Sequence, residues 1–258
     1  MSMKRIATIA VFILLSFVFT DCSGRRVAAK REKVRAIEDM GISLVRQGNL
    51  RAGLEQLLKA VALDPKNADL HHSLALVYRD LGEYKLSLEH FKKSLALNPE
   101  FPDAQNNLGI LYVRLGEWDR AIAWFQKAVD NILYKTPHFA YHNIGSVYFH
   151  RGEYQKAIEN YQRALQSFPS YGEAYFNLAC AYEAINRWEE AVDAYERAIN
   201  NYPEHPAAHL NLGKLYLRLS RRDEGAKELR LTIEVDPKGP FAREAKQLLK
   251  NYGIETVK

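Results

Sequence analysis

HFAYHNIGSVYFHRGEYQKAIENYQRALQSFPSY, His138 to Tyr171, is a unit of 34 residues of which most of the chain is a set of variant copies. Small residues stand at its eighth, twentieth and twenty-seventh places (Gly145, Ala157, Ala164). Large apolar ones stand at the seventh, eleventh, seventeenth and twenty-fourth (Ile144, Tyr148, Tyr154, Tyr161). The pattern reads as a helix, a turn at Gly152, a second helix and a stop at Pro169. Antiparallel helices approach closely only where one presents a small side chain, so Gly145 and Ala157 mark the expected crossing. Gly152 supplies a left-handed turn conformation. Pro169 lacks an N–H and disfavours α geometry at Phe168, ending the second helix. One such hairpin cannot bury its own apolar face, whereas a stack can.

Counted in this period, the chain holds six units: 34–67, 68–101, 102–137, 138–171, 172–205 and 206–239. The small pair recurs as Gly41 and Gly53, Ala75 and Ser87, Gly109 and Ala121, and Ala179 and Ala191. In the fifth unit Asn186 replaces the turn glycine, and Asn tolerates the left-handed conformation best after Gly. The sixth puts Ser220 at the turn and Arg222 where others carry an aromatic, as expected at the edge of an array. Residues 240–258, with Pro240 opening a helix and Ala245, Leu248, Leu249 and Tyr252 on one face, read as a capping helix and tail. The fold expected is all-α.

About half of the 258 residues are apolar and a quarter charged, so the chain buries a substantial core. Its start differs: Lys4 and Arg5 precede an uncharged run from Ile6 to Thr20, too short for a membrane span of about 20 residues and suited to an export signal, residues 1–21. The sequence Phe19, Thr20, Asp21, Cys22 resembles the lipobox of bacterial lipoproteins, which implies acylation of Cys22 and a lipid anchor; Asp21 departs from the small residue that family prefers. Ser23 after the cysteine, by the same resemblance, is compatible with the outer membrane. Residues 22–33 then form a basic tether (Arg25, Arg26, Lys30, Arg31, Lys33), reading either as a contact to anionic headgroups or as a solvated linker. No stacking aromatics accompany these basic residues, so nucleic acid is not an expected partner.

The repeat marks resemble the tetratricopeptide repeat from Val34 to Tyr252. That resemblance implies a right-handed superhelical solenoid of six helix–turn–helix repeats with a concave groove that holds peptides or proteins. In that family the groove is lined by the first helix of each unit. Carried over place by place, it includes Arg79, Asn107, Ile110, Arg114, Phe139, His142, Asn143, Phe149, His150, Phe176, Asn177, Leu210 and Asn211. Asn107, Asn143, Asn177 and Asn211 recur at one place as amides able to pair with a ligand backbone. Phe139, Phe149 and Phe176 read either as an apolar anchor pocket or as rings buried by their neighbours.

His138 and His142, and His205 and His209, lie four apart without a carboxylate or cysteine at ligand spacing, so no metal is expected. The chain shows no phosphate-binding glycine loop, serine elbow, zinc-protease pair or isolated carboxylate dyad, so a non-enzymatic protein without cofactor or small-molecule substrate is expected.

The third unit is two residues longer than the others, in Val129 to Gly145. There Leu133, Tyr134, Thr136 and Pro137, followed by Ala140, Tyr141, Asn143 and Gly145, resemble the mid-array signature of outer-membrane tetratricopeptide lipoproteins of type IV pilus biogenesis. That resemblance implies a pilotin: a lipid-anchored, periplasm-facing adaptor that helps a pilus secretin localise and assemble. The array would serve equally as scaffold of another envelope machine, such as a peptidoglycan-hydrolase adaptor or outer-membrane protein assembly.

Overall fold

Residues 27–255 are described by the computed structural model; Cys22 and the export signal lie outside them. Among these residues the chain forms thirteen helices and no strand. None of the described helices is long and apolar enough to cross a membrane. The chain divides into two compact units, up to Leu111 and from Tyr112 onward, with the division inside α5.

The first unit contains α1 (27–46), α2 (Leu50–Leu63), α3 (Ala68–Asp80), α4 (Tyr84–Leu97) and the start of α5 (Pro102–Arg114). The second half of the basic segment is helical: residues 27–33 are the exposed first turns of α1, and Val34 is its first buried side chain. Ala28, Ala29, Lys30, Arg31, Glu32 and Lys33 all favour helix, which extends the first hairpin backward. Leu57, Leu74, Val77 and Phe91 are buried at the centre of this unit.

The second unit contains α6 (Trp118–Asp130), α7 (Pro137–His150), α8 (Tyr154–Ser167), α9 (Gly172–Ala184), α10 (Trp188–Asn201), α11 (Pro206–Arg218), α12 (Arg222–Val235) and α13 (Pro240–Asn251). Consecutive helices from α6 to α13 pack pairwise. Its largest fully buried rings are Tyr161, Tyr195 and Phe125.

The small-residue crossing is as close as its spacing implies. A Cβ on Gly145 would lie 2.7 Å from two ring carbons of Tyr161 and 3.2 Å from the Ala157 carbonyl oxygen. In the sixth unit the crossing is a glycine pair, Gly213 against Gly225. In the second, the buried Ser87 hydroxyl donates to the Ala75 carbonyl at 2.8 Å, so a polar small residue is satisfied where a larger one would not fit. The turns are left-handed at Gly152 (φ 74), Asn186 (φ 60) and Ser220 (φ 61) alike. Phe168, before Pro169, leaves the helix with φ −146 and ψ 90.

A second device joins neighbouring hairpins. The side chain at place four of a unit reaches back to the loop proline carbonyl behind it: His71 Nε2 donates to Pro65 O at 3.1 Å, Gln105 Nε2 to Pro99 O at 2.7 Å, and His209 Nε2 to Pro203 O at 2.9 Å. His209 goes further, its Nδ1 donating to Glu228 Oε2 at 2.7 Å. Both ring nitrogens then donate, which requires the imidazolium. Burial opposes that charge, but the bonds to Glu228 and Pro203 outweigh it and raise the histidine above its ordinary value.

At the C-terminal edge α13 packs on α12 and α11, and Leu210, Leu217, Leu229, Ala245 and Leu249 close one cluster. Arg222, which replaces an aromatic, donates to the carbonyl of Tyr252 at the end of α13. The departure from the repeat pattern thus adds a polar tie to the apolar packing that holds the cap.

Two outcomes follow. Gly145→Ala should destabilise the second unit by about 1–3 kcal/mol, because the buried Tyr161 ring has nowhere to move; helical circular dichroism against denaturant measures it. The His209–Glu228 contribution is complete below about pH 6.5 and lost as pH rises through the raised value of His209. Glu228→Gln should bring the His209 titration, followed by NMR, down from that raised value and remove this part of the pH dependence of stability.

Candidate protein-binding groove

In the first unit Arg79 lines a cleft of about 420 Å³ between α1 and α3, walled also by Ile42, Val45, His72, Leu76 and Asp80 among others; Asn107 and Ile110 lie outside its walls. Arg79 and Asn107 are joined: Arg79 Nη1 donates to Asn107 Oδ1 at 3.3 Å, while Asn107 Nδ2 meets His72 Nε2 at 3.2 Å and the Asp103 carbonyl at 2.9 Å. Ile110 is half-buried.

The same link recurs in the second unit, where Asn177 Nδ2 donates to His142 Nε2 at 2.7 Å. A place-five histidine of one hairpin thus accepts from the place-six asparagine of the next. That bond exists only while the ring nitrogen is unprotonated. Burial, the larger effect in both, pushes His72 and His142 down to about 4, with the Arg79 charge adding to it at His72. Asn211 Nδ2 donates instead to Tyr195 Oη at 3.3 Å, and that hydroxyl donates to Glu183 Oε2 at 2.6 Å. The amide ladder expected to meet a ligand backbone is therefore engaged, at Asn107, Asn177 and Asn211, in pinning neighbouring helices together.

The place-five ring also stacks on the residue that closes its own unit: His72 on Phe101 at 5.0 Å, His142 on Tyr171 at 5.2 Å, and Phe176 on His205 at 4.7 Å. Phe176 is half-buried by His205 and Tyr195, so it fills this seam and is not an open anchor. Phe149 is likewise half-buried, edge-on to Tyr154 at 5.4 Å. Leu210 is corrected outright: 2 % exposed in the cluster that α13 closes, it is core, because the cap covers the face an internal repeat would leave open. Asn143 is half-buried, and Arg114 and His150 are exposed.

Phe139 keeps an open face at 44 % exposure. It is edge-on to Tyr171 at 5.7 Å, and His138 bridges it to Phe168, at 4.2 Å and 4.9 Å. His138 and His205 therefore serve ring packing, and His205 also caps α11, its Nδ1 accepting from Ala208 N at 3.2 Å. Among the described residues no group of three or more His, Cys, Asp or Glu side chains is placed to hold a metal. The Cys180 thiol, beside Tyr195 Oη at 3.3 Å, is pushed up to about 11 by burial.

Between α6 and α7 the two-residue insertion is a turn at 131–136. Asn131 Oδ1 accepts from Leu133 N at 2.9 Å, Tyr134 is buried, and Ile132 and Leu133 stand 96 % and 78 % exposed. Another cleft, of about 750 Å³, lies among α8, α9 and α10. Of its carboxylates, Asp193 and Glu190 are paired with Arg197 and Arg187, and Glu189 lines it as well.

An array of helical hairpins that carries ring and amide groups on the first helix of successive repeats defines a scaffold for binding other proteins. Two sequence profiles, each described as tetratricopeptide repeat, match it, one at residues 137–204 and the other at 38–99, 72–132 and 176–240. The chain belongs to the tetratricopeptide-repeat family. Among solved structures it is similar to PilF of Pseudomonas aeruginosa, with 21% identity and a TM-score of 0.75 over 85% of this chain and 99% of that one. It is similar also to PilW, described as a widely conserved type IV pilus biogenesis factor, with 20% identity and a TM-score of 0.74 over 82% of this chain and 97% of that one. MamA is 30% identical over 62% of this chain and 93% of that one, with a TM-score of 0.57. No curated protein sequence matches the chain significantly.

Phe139→Glu should leave helicity intact, since the ring faces outward. Phe176→Glu, by contrast, should lower stability by about 1–3 kcal/mol by placing a charge in a packed seam. Equal thermal midpoints for the two variants would contradict the assignment.

Proposed function

We propose that this protein is a non-enzymatic adaptor, anchored by a lipid on Cys22 to the outer membrane and facing the periplasm, that assists a type IV pilus secretin in reaching its site and assembling. The observation that carries the reading is the fold likeness to PilW, a type IV pilus biogenesis factor, over 82% of this chain. The turn from Leu133 to Pro137, whose sequence resembles the mid-array signature of the pilus lipoproteins, supports it independently. An anchored array presents its groove to a partner without any chemistry of its own, and the export signal with Cys22 accounts for the anchor.

Affinity capture from detergent-solubilised envelopes of the source bacterium tests the reading. The full chain should retain a secretin, Phe139→Glu should retain several-fold less, and Cys22→Ser should leave the membrane fraction. Retention of a cell-wall enzyme or an outer-membrane assembly factor in place of a secretin would move the adaptor to another envelope machine.

A further inference from the structure

Within the second unit one groove-side carboxylate has a histidine for its partner and no lysine or arginine. Glu173, at the second position of α9, is 50 % exposed at its side chain, and its ion-pair contact is with His205 Nε2 at 3.5 Å. Among the described residues no lysine or arginine lies within ion-pair distance of it. Glu153, Asp193 and Glu244, by contrast, pair with lysine or arginine: Glu153 with Lys156 and Arg151, Asp193 with Arg197, Glu244 with Lys214. The bond from His205, outweighing burial, keeps the Glu173 carboxyl below the usual carboxylate range, so it is ionised at neutral pH.

Its surroundings are aromatic. His205 lies 3.5 Å from the Glu173 carboxylate, and Tyr171, two residues before Glu173, stacks with His142 at 5.2 Å. Tyr171 carries Phe139 on its edge, and His205 carries Tyr202 at 5.5 Å, both outer rings being exposed. A half-exposed anion with aromatic rings nearby and no lysine or arginine of its own is complementary to a lysine or arginine, which gains the carboxylate and can meet a ring as well. The exposed rings of Phe139, against Tyr171, and Tyr202, against His205, offer apolar contact.

We propose that Glu173 is the specificity-determining residue of the second unit, receiving a lysine or arginine of a partner protein's segment while an adjoining aromatic or aliphatic residue of that segment packs on Phe139. The proposal rests on the adaptor reading above and narrows it to a partner with a basic–apolar motif. Glu173 also complements the positive N-terminal end of α9. That role alone would not alter ligand preference, so a reversal of charge separates the two.

The experiment is selection of random dodecapeptides displayed on phage by the full chain in detergent micelles. The wild type should enrich Lys or Arg within two positions of an aromatic or aliphatic residue. Glu173→Gln should bind the selected peptides about tenfold more weakly, the size of a charge-assisted hydrogen bond. Glu173→Lys should enrich Asp or Glu at the same spacing while keeping the apolar neighbour. Enrichment without a basic residue, no enrichment at all, or a basic preference unchanged in both variants would overturn the proposal. If both variants still retain a secretin as the wild type does, the pilus reading stands and this assignment of Glu173 falls. If no secretin is retained but the charge reversal is seen, the reverse holds.

Discussion

The closest constraint in this chain is the distance between the two helices of a hairpin. Tyr161 can lie flat and fully buried only because Gly145 opposite it has no side chain, and the same absence at Gly213 admits Leu229. Every other feature depends on that approach. It sets where each helix pair presents its outer row, and so which side chains meet the neighbouring hairpin.

Those meetings between hairpins carry the second layer of the fold. Rings at places five and thirty-four stack, histidine and asparagine close the seam, and a side chain at place four ties back the preceding loop. Such contacts join nearest neighbours, which is how a repeat array distributes its stability. They also use groups that a groove would otherwise offer to a ligand. Of the groove places in the second unit, Phe139, Arg114 and His150 keep exposed side chains, while Phe176, Asn177, Leu210 and Asn211 are taken up by packing between helices.

The hairpins were legible in the sequence because their determinants are local. Gly152, Asn186 and Ser220 announce a left-handed turn by side-chain type, and Pro169 announces the end of a helix. The edge of the array was legible in Arg222, though not its task, because the carbonyls it meets belong to the end of a helix thirty residues on. The groove was less legible. Asn177 and Phe176 have the residue types of a ligand contact, but their partners, His142 and His205, are set by the packing of one hairpin on the next. Leu210 misleads for the same reason: nothing near it in sequence says that α13 will cover it. The pairing of His209 with Glu228, nineteen residues away, carried no signal that spacing alone could expose.

Two histidine bonds of the second unit, one between hairpins and one inside the sixth, make opposite protonation demands. The Asn177 bond needs His142 neutral, and its contribution fades as pH falls from about 6.5 toward 4. The Glu228 bond needs His209 charged, and fades on the alkaline side. Acid and base therefore do not soften this array evenly. Acid loads the tie between the fourth and fifth hairpins and base the tie inside the sixth, so the two extremes of pH strain different places in the array.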